Sequence, residues 1–195
     1  MIPNYLYFDT ETTGLPPKNS NYETDFLQFP RIVWFAWSMN GVGKSYIIKP
    51  EGFEIPEHTT AIHGITTEMA LEKGVSIRAV LREFAIDAYC AEKIVAHNIY
   101  FDTSVIKSEI LRLEHHHFQK LAWDAMDKSK RIDTMRSTMK FVDARNSNGG
   151  MKFPSLEELH YKLFGTTFPA HSAKEDVEAL IRCYDELIRL NILTL

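Results

Sequence analysis

The chain has 195 residues, of which 45% are hydrophobic and 12% aromatic, which is enough to bury one good core. Its formal net charge of −4 argues against a protein that coats nucleic acid through a broad basic surface. The longest uncharged run, 32–43, is too short and too polar for a membrane span, and residues 1–11 lack the features of a signal peptide. We therefore expect a single cytoplasmic domain over residues 1–195 with no membrane partner.

Three strands are predicted early in the chain. Residues 4–9 (NYLYFD) are typical of an aromatic strand, and residues 31–50 of a hairpin that turns at Asn40 and Gly41. Between them, residues 16–29 are rich in Pro, Asn and Ser, which predicts a long surface loop. This loop is interpreted either as a flap beside a substrate or as a tolerated insertion.

Helices and strands alternate in the rest of the chain. The predicted elements are a helix over 76–90, a strand over 92–98, a helix over about 102–113, a strand over 131–135, a helix from about Ser155 and a final helix over about 172–190. The first of these helices carries an apolar stripe at Ile77, Val80, Leu81, Phe84, Ala85 and Ala88. Early antiparallel strands followed by this alternation predict an α/β layer sandwich with a mixed sheet.

Cys90 and Cys183 each lie in an apolar helical pattern, and neither has a second cysteine at metal-ligand spacing. We expect both to be reduced core residues. Trp123 and Tyr161 are likewise expected in the core.

The first candidate site follows the first strand, in the segment YFDTETTGL. Side chains two apart on a strand point to the same face, so Asp9 and Glu11 should present their carboxylates together. Two adjacent negative charges repel, and a cation such as Mg²⁺ or Mn²⁺ would relieve this. The alternative is a solvated turn with helix-capping Asp and Thr residues.

The second candidate is the segment AHNIYFD, residues 96–102, where a strand ends and a helix begins. In a mixed sheet this strand end can lie beside the end of the first strand. Asp102 would there either cap its own helix or add a metal ligand. His97 and Asn98 are less decisive, since both could simply satisfy backbone groups of the loop.

The third candidate is the segment HSAKED, residues 171–176. Ser172 and Glu175 fit a capping box, which makes His171 the residue before the cap and Asp176 the fourth helical position. An imidazole and a carboxylate would then lie side by side at a helix entrance. The alternative is a surface ion pair, worth about 0–1 kcal/mol.

Together the three segments supply four acidic residues and one histidine. Two divalent metal ions about 3.5–4 Å apart can activate a water and stabilise the leaving oxygen in phosphodiester cleavage, while a histidine takes the proton of the water. The set that suits this chemistry is Asp9, Glu11, Asp102, Asp176 and His171.

These motifs resemble those of the DEDDh 3′-to-5′ exonucleases, a family with a ribonuclease H-like fold that includes the proofreading epsilon-type subunits of bacterial DNA polymerase III. FDTETTGL is similar to the family's first motif, HNIYFD to the second and HSAKED to the third. AIHGIT, RIDT and KFPSLEELHYKLFG also resemble family segments in the same order. The resemblance implies a three-layer sandwich with a mixed five-stranded sheet flanked by helices.

The resemblance also implies roles for single residues. It assigns two divalent metal ions, Mg²⁺ or Mn²⁺, to the four carboxylates and the general base to His171. The residues that it places near the terminal nucleotide are Thr10, Thr12, Thr13, His63 and Asn98. Phe101 is interpreted either as a core residue or as a residue that stacks on a base.

The resulting prediction is a metal-dependent exonuclease that releases nucleoside 5′-monophosphates from a single-stranded 3′ end, with DNA preferred over RNA. The alternatives are an exoribonuclease and a non-catalytic module that binds nucleic-acid ends or a polymerase. A polymerase or another replication or repair subunit is a predicted partner. The apolar residues of LIRLNILTL are interpreted either as a segment that docks such a partner or as a buried C-terminal cap. A metal cluster at His115, His116 and His117 is disfavoured against a solvated helix end, since consecutive helical residues point in different directions.

Overall fold

The computed structural model describes residues 4–113 and 118–193. The three consecutive histidines at 115–117 lie outside these ranges, so the expectation of a solvated helix end at that point stays a prediction. In the described residues, no helix is long and apolar enough to cross a membrane.

A five-stranded sheet forms the middle layer, with the spatial order β3-β2-β1-β4-β5. The strands are β1 (Tyr5–Thr12), β2 (Ile32–Met39), β3 (Val42–Ile47), β4 (Lys93–Ala96) and β5 (Arg131–Asp133). β1, β2 and β3 pair antiparallel, whereas β4 pairs parallel with both β1 and β5. The predicted mixed five-stranded sheet is thus confirmed.

Helices cover both faces of the sheet. They are α1 (Tyr22–Asp25), α2 (Glu57–His63), α3 (Thr67–Lys73), α4 (Ile77–Cys90), α5 (Ile99–Arg112), α6 (Gln119–Ala125), α7 (Thr134–Val142), α8 (Leu156–Phe164) and α9 (Ala173–Arg189). α4, α5 and α6 share one large core with the sheet, and α9 packs on the other face with α8 beside it. This three-layer arrangement confirms the predicted fold class.

The two faces of β1 belong to different layers. Its even-numbered residues, among them Leu6 and Phe8, are fully buried in the core formed with α4 and α5. Its odd-numbered residues, among them Tyr5 and Tyr7, contact Tyr184 of α9. Because strand side chains alternate, Asp9 and Glu11 also lie on the α9 side of the sheet.

Several sequence predictions agree with the structure. The six apolar residues assigned to the 76–90 helix are all buried in α4. The hairpin between β2 and β3 turns at Asn40 and Gly41, with φ values of 53° and 76°. Both residues thus adopt the left-handed conformation that tight hairpin turns require.

Other predictions were wrong in detail. α5 begins at Ile99 rather than near Asp102, and the helices α1, α2, α3, α6 and α7 were not predicted. Cys90 is exposed at the last turn of α4, whereas Cys183 is buried as expected. Tyr161 is 60% exposed on α8 rather than buried in the core. The ends and outer faces of amphipathic helices carry apolar residues that pattern alone does not separate from core residues.

Residues 16–29 are partly ordered by helical turns. They contain α1 and a 3-10 turn over Phe26–Gln28. Arg112 of α5 donates hydrogen bonds from Nη2 to the carbonyl oxygens of Phe26, at 2.5 Å, and Phe29, at 2.6 Å. This segment is therefore tied to the body of the protein at its C-terminal end.

Candidate active site

The end of β1 and the start of α9 bring three carboxylates together. One oxygen each of Asp9, Glu11 and Asp176 lie within 4.8 Å of one another. α9 reaches this position because Ala173 and Val177 pack against Ala36 of β2. The apolar contact of the helix with the sheet therefore determines where Asp176 lies.

Asp102 approaches the same place from the opposite face of the sheet. Its Oδ1 accepts hydrogen bonds from the backbone N–H of Thr10, at 3.1 Å, and from the Thr10 hydroxyl, at 2.7 Å. Thr10 lies between Asp9 and Glu11 in β1, so Asp102 is held beside the strand that carries both. Asp102 is only 2% exposed and is not one of the three residues whose oxygens converge within 4.8 Å.

The start of α9 differs from the predicted capping box. Ser172 is at the N-cap position, but its side chain makes no capping hydrogen bond, and its buried Oγ has no partner in the described residues. Instead, Oδ2 of Asp176 accepts a hydrogen bond of 3.0 Å from the backbone N–H of His171. His171 has a φ of 69°, and this left-handed turn directs its N–H back toward the helix. The expected proximity of residues 171 and 176 is thus present, but through the backbone.

A cleft of about 210 Å³ contains this cluster. The predicted site residues that line it are Asp9, Thr10, Glu11, Asp102, His171 and Asp176, together with Phe101 and His97. The exposed His171 lies at its mouth. The opposite wall was not predicted; it is formed by Ser155, Leu156 and Glu157 at the start of α8 and by Ala170. The capping box of Ser155 and Glu158 signals this helix start, but no local pattern places it beside β1.

Four of the residues assigned to the terminal nucleotide do not line the cleft: Thr12, Thr13, His63 and Asn98. Thr12 donates its hydroxyl to the carbonyl of Gly14 at 2.7 Å, and the Thr13 hydroxyl accepts from the N–H of Arg31 at 2.9 Å. His63 accepts from the N–H of Ile65 through Nδ1 at 3.1 Å. In this conformation their hydrogen bonds shape the chain around the site, and their contact with substrate stays a prediction.

His97 connects three segments at the wall of the cleft. Its Nε2 lies 2.9 Å from the carbonyl oxygen of Pro154, and its Nδ1 lies 3.0 Å from the hydroxyl of Thr134. A carbonyl oxygen can only accept, so Nε2 carries the hydrogen of this pair. Burial lowers the pKa of His97. The neutral imidazole therefore connects the residues before α8 to the end of β4 through its two hydrogen bonds.

The carboxylates of the cleft raise one another's pKa. Burial, and then the charges of Asp102 and Asp176, raise the pKa of Asp9 well above its ordinary value. Burial raises the pKa of Asp102 to about 7, although the hydrogen bonds from Thr10 oppose this. Burial and the charge of Glu11 raise the pKa of Asp176 to about 7. Burial raises the pKa of Glu11, and the nearby His171 offsets only part of this rise.

This donor set fits hard divalent cations. All of its ligand atoms are carboxylate oxygens, and no lysine or arginine of the described chain forms an ion pair with them. Carboxylates that crowd without a cation must hold protons, whereas a bound Mg²⁺ or Mn²⁺ allows all of them to ionise. Asp9, Glu11, Asp102 and Asp176 together would hold such ions.

A mixed five-stranded sheet with helices on both faces, and a carboxylate cluster at the end of its central strand, define the class of ribonuclease H-like nucleases. The sequence model of the RNase T exonucleases matches residues 6–184. The chain therefore belongs to this exonuclease family, and the predicted membership in the DEDD exonucleases is confirmed. A specific similarity to the epsilon-type subunits stays a prediction.

Solved structures of exonuclease I share the fold. Exonuclease I from Methylocaldum szegediense is 19% identical with a TM-score of 0.73, and the match covers 96% of this chain and 40% of the other. E. coli exonuclease I in complex with a dA16 oligonucleotide is 21% identical with a TM-score of 0.73, covering 96% and 41%. A product-bound exonuclease I is 20% identical with a TM-score of 0.72, covering 98% and 45%. This chain thus spans less than half the length of these structures. No curated protein sequence matches it.

Proposed function

We propose that the chain is a metal-dependent 3′-to-5′ exonuclease that removes nucleoside 5′-monophosphates from single-stranded nucleic acid, with DNA preferred over RNA. The observation that carries the proposal is the convergence of Asp9, Glu11 and Asp176 within 4.8 Å, with Asp102 held beside them. Membership in the RNase T exonuclease family supports it. The dA16 oligonucleotide in the E. coli exonuclease I complex favours DNA. Residues 1–195 would act as one exonuclease domain.

The four carboxylates would hold two divalent ions, Mg²⁺ or Mn²⁺. When bound, these ions supply a nucleophilic water and stabilise the charge on the leaving oxygen. The chain itself positions the ligands. Oδ2 of Asp176 accepts from the N–H of His171, and Oδ1 of Asp102 accepts from the hydroxyl of Thr10. Each carboxylate is thus held in place by hydrogen bonds to one of its two oxygens.

His171 is proposed as the general base that takes the proton from the attacking water. Its ring is exposed at the mouth of the cleft, and its backbone is tied to Asp176, a carboxylate of the cluster. This hydrogen bond would hold the ring near the carboxylates while leaving it free to exchange its proton with solvent.

The substrate strand would enter the cleft between β1 and the start of α8. Thr10, Thr12, Thr13, His63 and Asn98 are proposed to border the terminal nucleotide, although only Thr10 lines the cleft here. A polymerase or another replication or repair subunit remains the proposed protein partner. A structure of E. coli exonuclease I with dA16 supports the strand itself as a ligand of this fold.

The test measures release of mononucleotides from single-stranded DNA and RNA of matched sequence, labelled at either end. Each strand is incubated with Mg²⁺, with Mn²⁺ and with EDTA, beside Asp9→Ala and His171→Ala proteins. We expect stepwise shortening from the 3′ end that EDTA abolishes and that both substitutions slow by at least about 10²-fold. The ratio of the DNA and RNA rates then identifies the preferred polymer. A folded wild-type protein that binds Mn²⁺ but shortens neither strand would refute the enzyme and favour a binding module.

A further inference from the structure

A second cavity lies against α5 and shares none of its lining residues with the catalytic cleft. Its volume is about 680 Å³. Tyr22 of α1 and Trp123 of α6 form two of its walls, and Tyr100 and Lys107 of α5 form a third. Tyr100 immediately precedes Phe101, which lines the cleft, so the two cavities flank the first turn of α5.

The notable residue of this cavity is Lys107, because it is a largely buried cation that forms no ion pair among the described residues. Lys107 is 6% exposed. Its ammonium lies 5.4 Å from the centre of the Tyr22 ring and 5.2 Å from that of Trp123. Within residues 4–113 and 118–193 it forms neither a hydrogen bond nor an ion pair. The rings compensate the charge in part, but the three N–H donors of the ammonium need oxygen acceptors.

Two further cations surround the cavity. Arg131 is half-buried and uses Nε and Nη2 to donate to the carbonyl oxygen of Met126, at 2.9 and 2.7 Å. This leaves its Nη1 donors uncommitted among the described contacts. Lys128 is exposed at the rim. Burial and the charge of Arg131 lower the pKa of Lys107 to about 8, although the charges of Glu23 and Asp127 oppose this, so most of the amine remains charged at neutral pH.

Three acidic residues also line the cavity, and each accepts a hydrogen bond from another group. Asp124 accepts from Lys120 at 2.6 Å, and Asp127 accepts from the N–H and hydroxyl of Ser129 at 2.9 and 2.6 Å. Glu23 accepts from the hydroxyl of Tyr22 at 3.1 Å. Only Asp124 is therefore paired with a cation, whereas Asp127 and Glu23 keep their negative charges. Lys107 is the cation of the cavity that lies between aromatic rings and forms no ion pair among the described residues.

We propose that this cavity binds a phosphodiester group of a single-stranded nucleic acid, with Lys107 contacting the phosphate and Tyr100 beside the adjoining base. A phosphodiester carries one negative charge and supplies the oxygen acceptors that the ammonium needs. The Tyr100 side chain is 57% exposed at the edge nearest the cleft, where a base can stack on it. The proposal rests on the proposed function in one respect, that the bound strand is the one whose end enters the cleft.

The experiment measures binding of a labelled twelve-nucleotide DNA strand by fluorescence anisotropy in EDTA, where no hydrolysis occurs. Lys107→Met removes the charge and keeps an apolar side chain of similar length. We expect it to weaken binding about tenfold, which is the effect of losing one charge-assisted hydrogen bond. The slope of log K against log salt concentration should become less steep by about 0.7, since one phosphate contact is gone. Lys73→Met, at an exposed position of α3, is the matched control and should bind as the wild type does.

Stability and chemical labelling separate a ligand contact from a packing effect. Because an unpaired buried charge carries a desolvation cost that an apolar residue does not, the urea midpoint of Lys107→Met should be at least as high as that of the wild type. In the wild-type protein the strand should protect Lys107, but not Lys73, from acetylation read by mass spectrometry. Because it uses the wild-type protein, the acetylation measurement shows whether the strand contacts Lys107 even if the Lys107→Met protein does not fold.

Several outcomes would overturn the proposal. They are equal affinity of the Lys107→Met and wild-type proteins for the strand, equal weakening by Lys73→Met, and Lys107-dependent binding of inorganic phosphate or a free mononucleotide but not of the strand. Nucleotide release with Mg²⁺ is assayed separately. Absent release with Lys107-dependent binding would refute the proposed function alone, whereas normal release without that dependence would refute this site alone.

Discussion

Two carboxylates of α5 are buried to the same extent but have opposite surroundings. Glu109 is 1% exposed, and its Oε1 accepts from Arg31 Nε at 2.9 Å and from the N–H of Ile32 at 3.0 Å, with Arg112 Nη1 at 3.5 Å. Asp102, two turns earlier, is 2% exposed. Among the described residues, its surroundings are the dipoles of Thr10, its own backbone N–H and the charges of other carboxylates, with no cation paired to it.

The difference separates a structural carboxylate from one that needs a ligand. Glu109 and its two arginines join α5 to the start of β2, and Arg112 extends the connection to the end of the 16–29 segment. The protein itself supplies the compensating charge there. Around Asp102 the compensating charge has to come from solution, as protons or as a metal ion.

Asp176→Asn should affect catalysis most. It removes one negative charge from the cluster while keeping the size of the side chain and an oxygen that can accept from the N–H of His171. We expect nucleotide release with Mg²⁺ to fall about 10⁴-fold, equivalent to about 5 kcal/mol, because metal ligation supports every step of the reaction. Single-turnover assays measure this. Asp143→Asn, in an exposed pair with Arg145, is the matched control. Retention of a tenth of the activity by Asp176→Asn would contradict its role as a ligand.

Glu109→Gln should affect stability rather than chemistry. It leaves Arg31 and Arg112 without their carboxylate in a buried setting, so the free energy of unfolding should fall by about 3 kcal/mol or more. Urea unfolding followed by circular dichroism measures the change. Glu92→Gln, at an exposed position, should stay within about 0.5 kcal/mol of the wild type. Equal stability of the Glu109→Gln and wild-type proteins would mean that the arginine contacts are not what stabilises this region.

His171→Gln tests whether the exposed imidazole acts in the reaction. Its side chain is at the surface, so the fold should keep its stability within about 0.5 kcal/mol. Release of mononucleotides should fall about 10²-fold, the contribution typical of a general base, with metal affinity unchanged. Steady-state kinetics together with a Mn²⁺ titration check both points. A loss of metal binding equal to that of Asp176→Asn would instead identify His171 as a ligand.

Local sequence patterns predict part of this arrangement. The two-residue period of β1 correctly places Asp9 and Glu11 on one face, and the apolar stripe of α4 predicts its buried side. No sequence pattern predicts the left-handed φ of His171. A capping box at Ser172 was therefore expected, whereas in the structure Asp176 accepts the backbone N–H of His171. The contact of Glu109 with Arg31 joins residues 78 positions apart, and only the folded chain brings them together. The same holds for the wall of the cleft at Glu157.

The pH dependence of stability should reveal the uncompensated cluster most directly. In the metal-free fold, burial raises the pKa of Asp102 and Asp176 from an ordinary value of 3.8 to about 7. The fold then holds protons that the unfolded chain releases. The contribution of these two carboxyl groups to stability is therefore full below about pH 4 and is lost as the pH rises through about 7. Bound Mg²⁺ would replace these protons, so the rise in melting temperature that it causes should be larger at pH 8 than at pH 5.

For a chain of this length about 1 kcal/mol corresponds to about 2–4 °C, so differential scanning fluorimetry can resolve the effect. In EDTA, the Asp176→Asn protein should lose less stability between pH 5 and pH 8 than the wild type does, because it carries one fewer carboxylate to ionise. A Mg²⁺ effect of equal size at both pH values would mean that the cluster is already ionised without metal. In that case the contrast between Asp102 and Glu109 would lie in geometry alone.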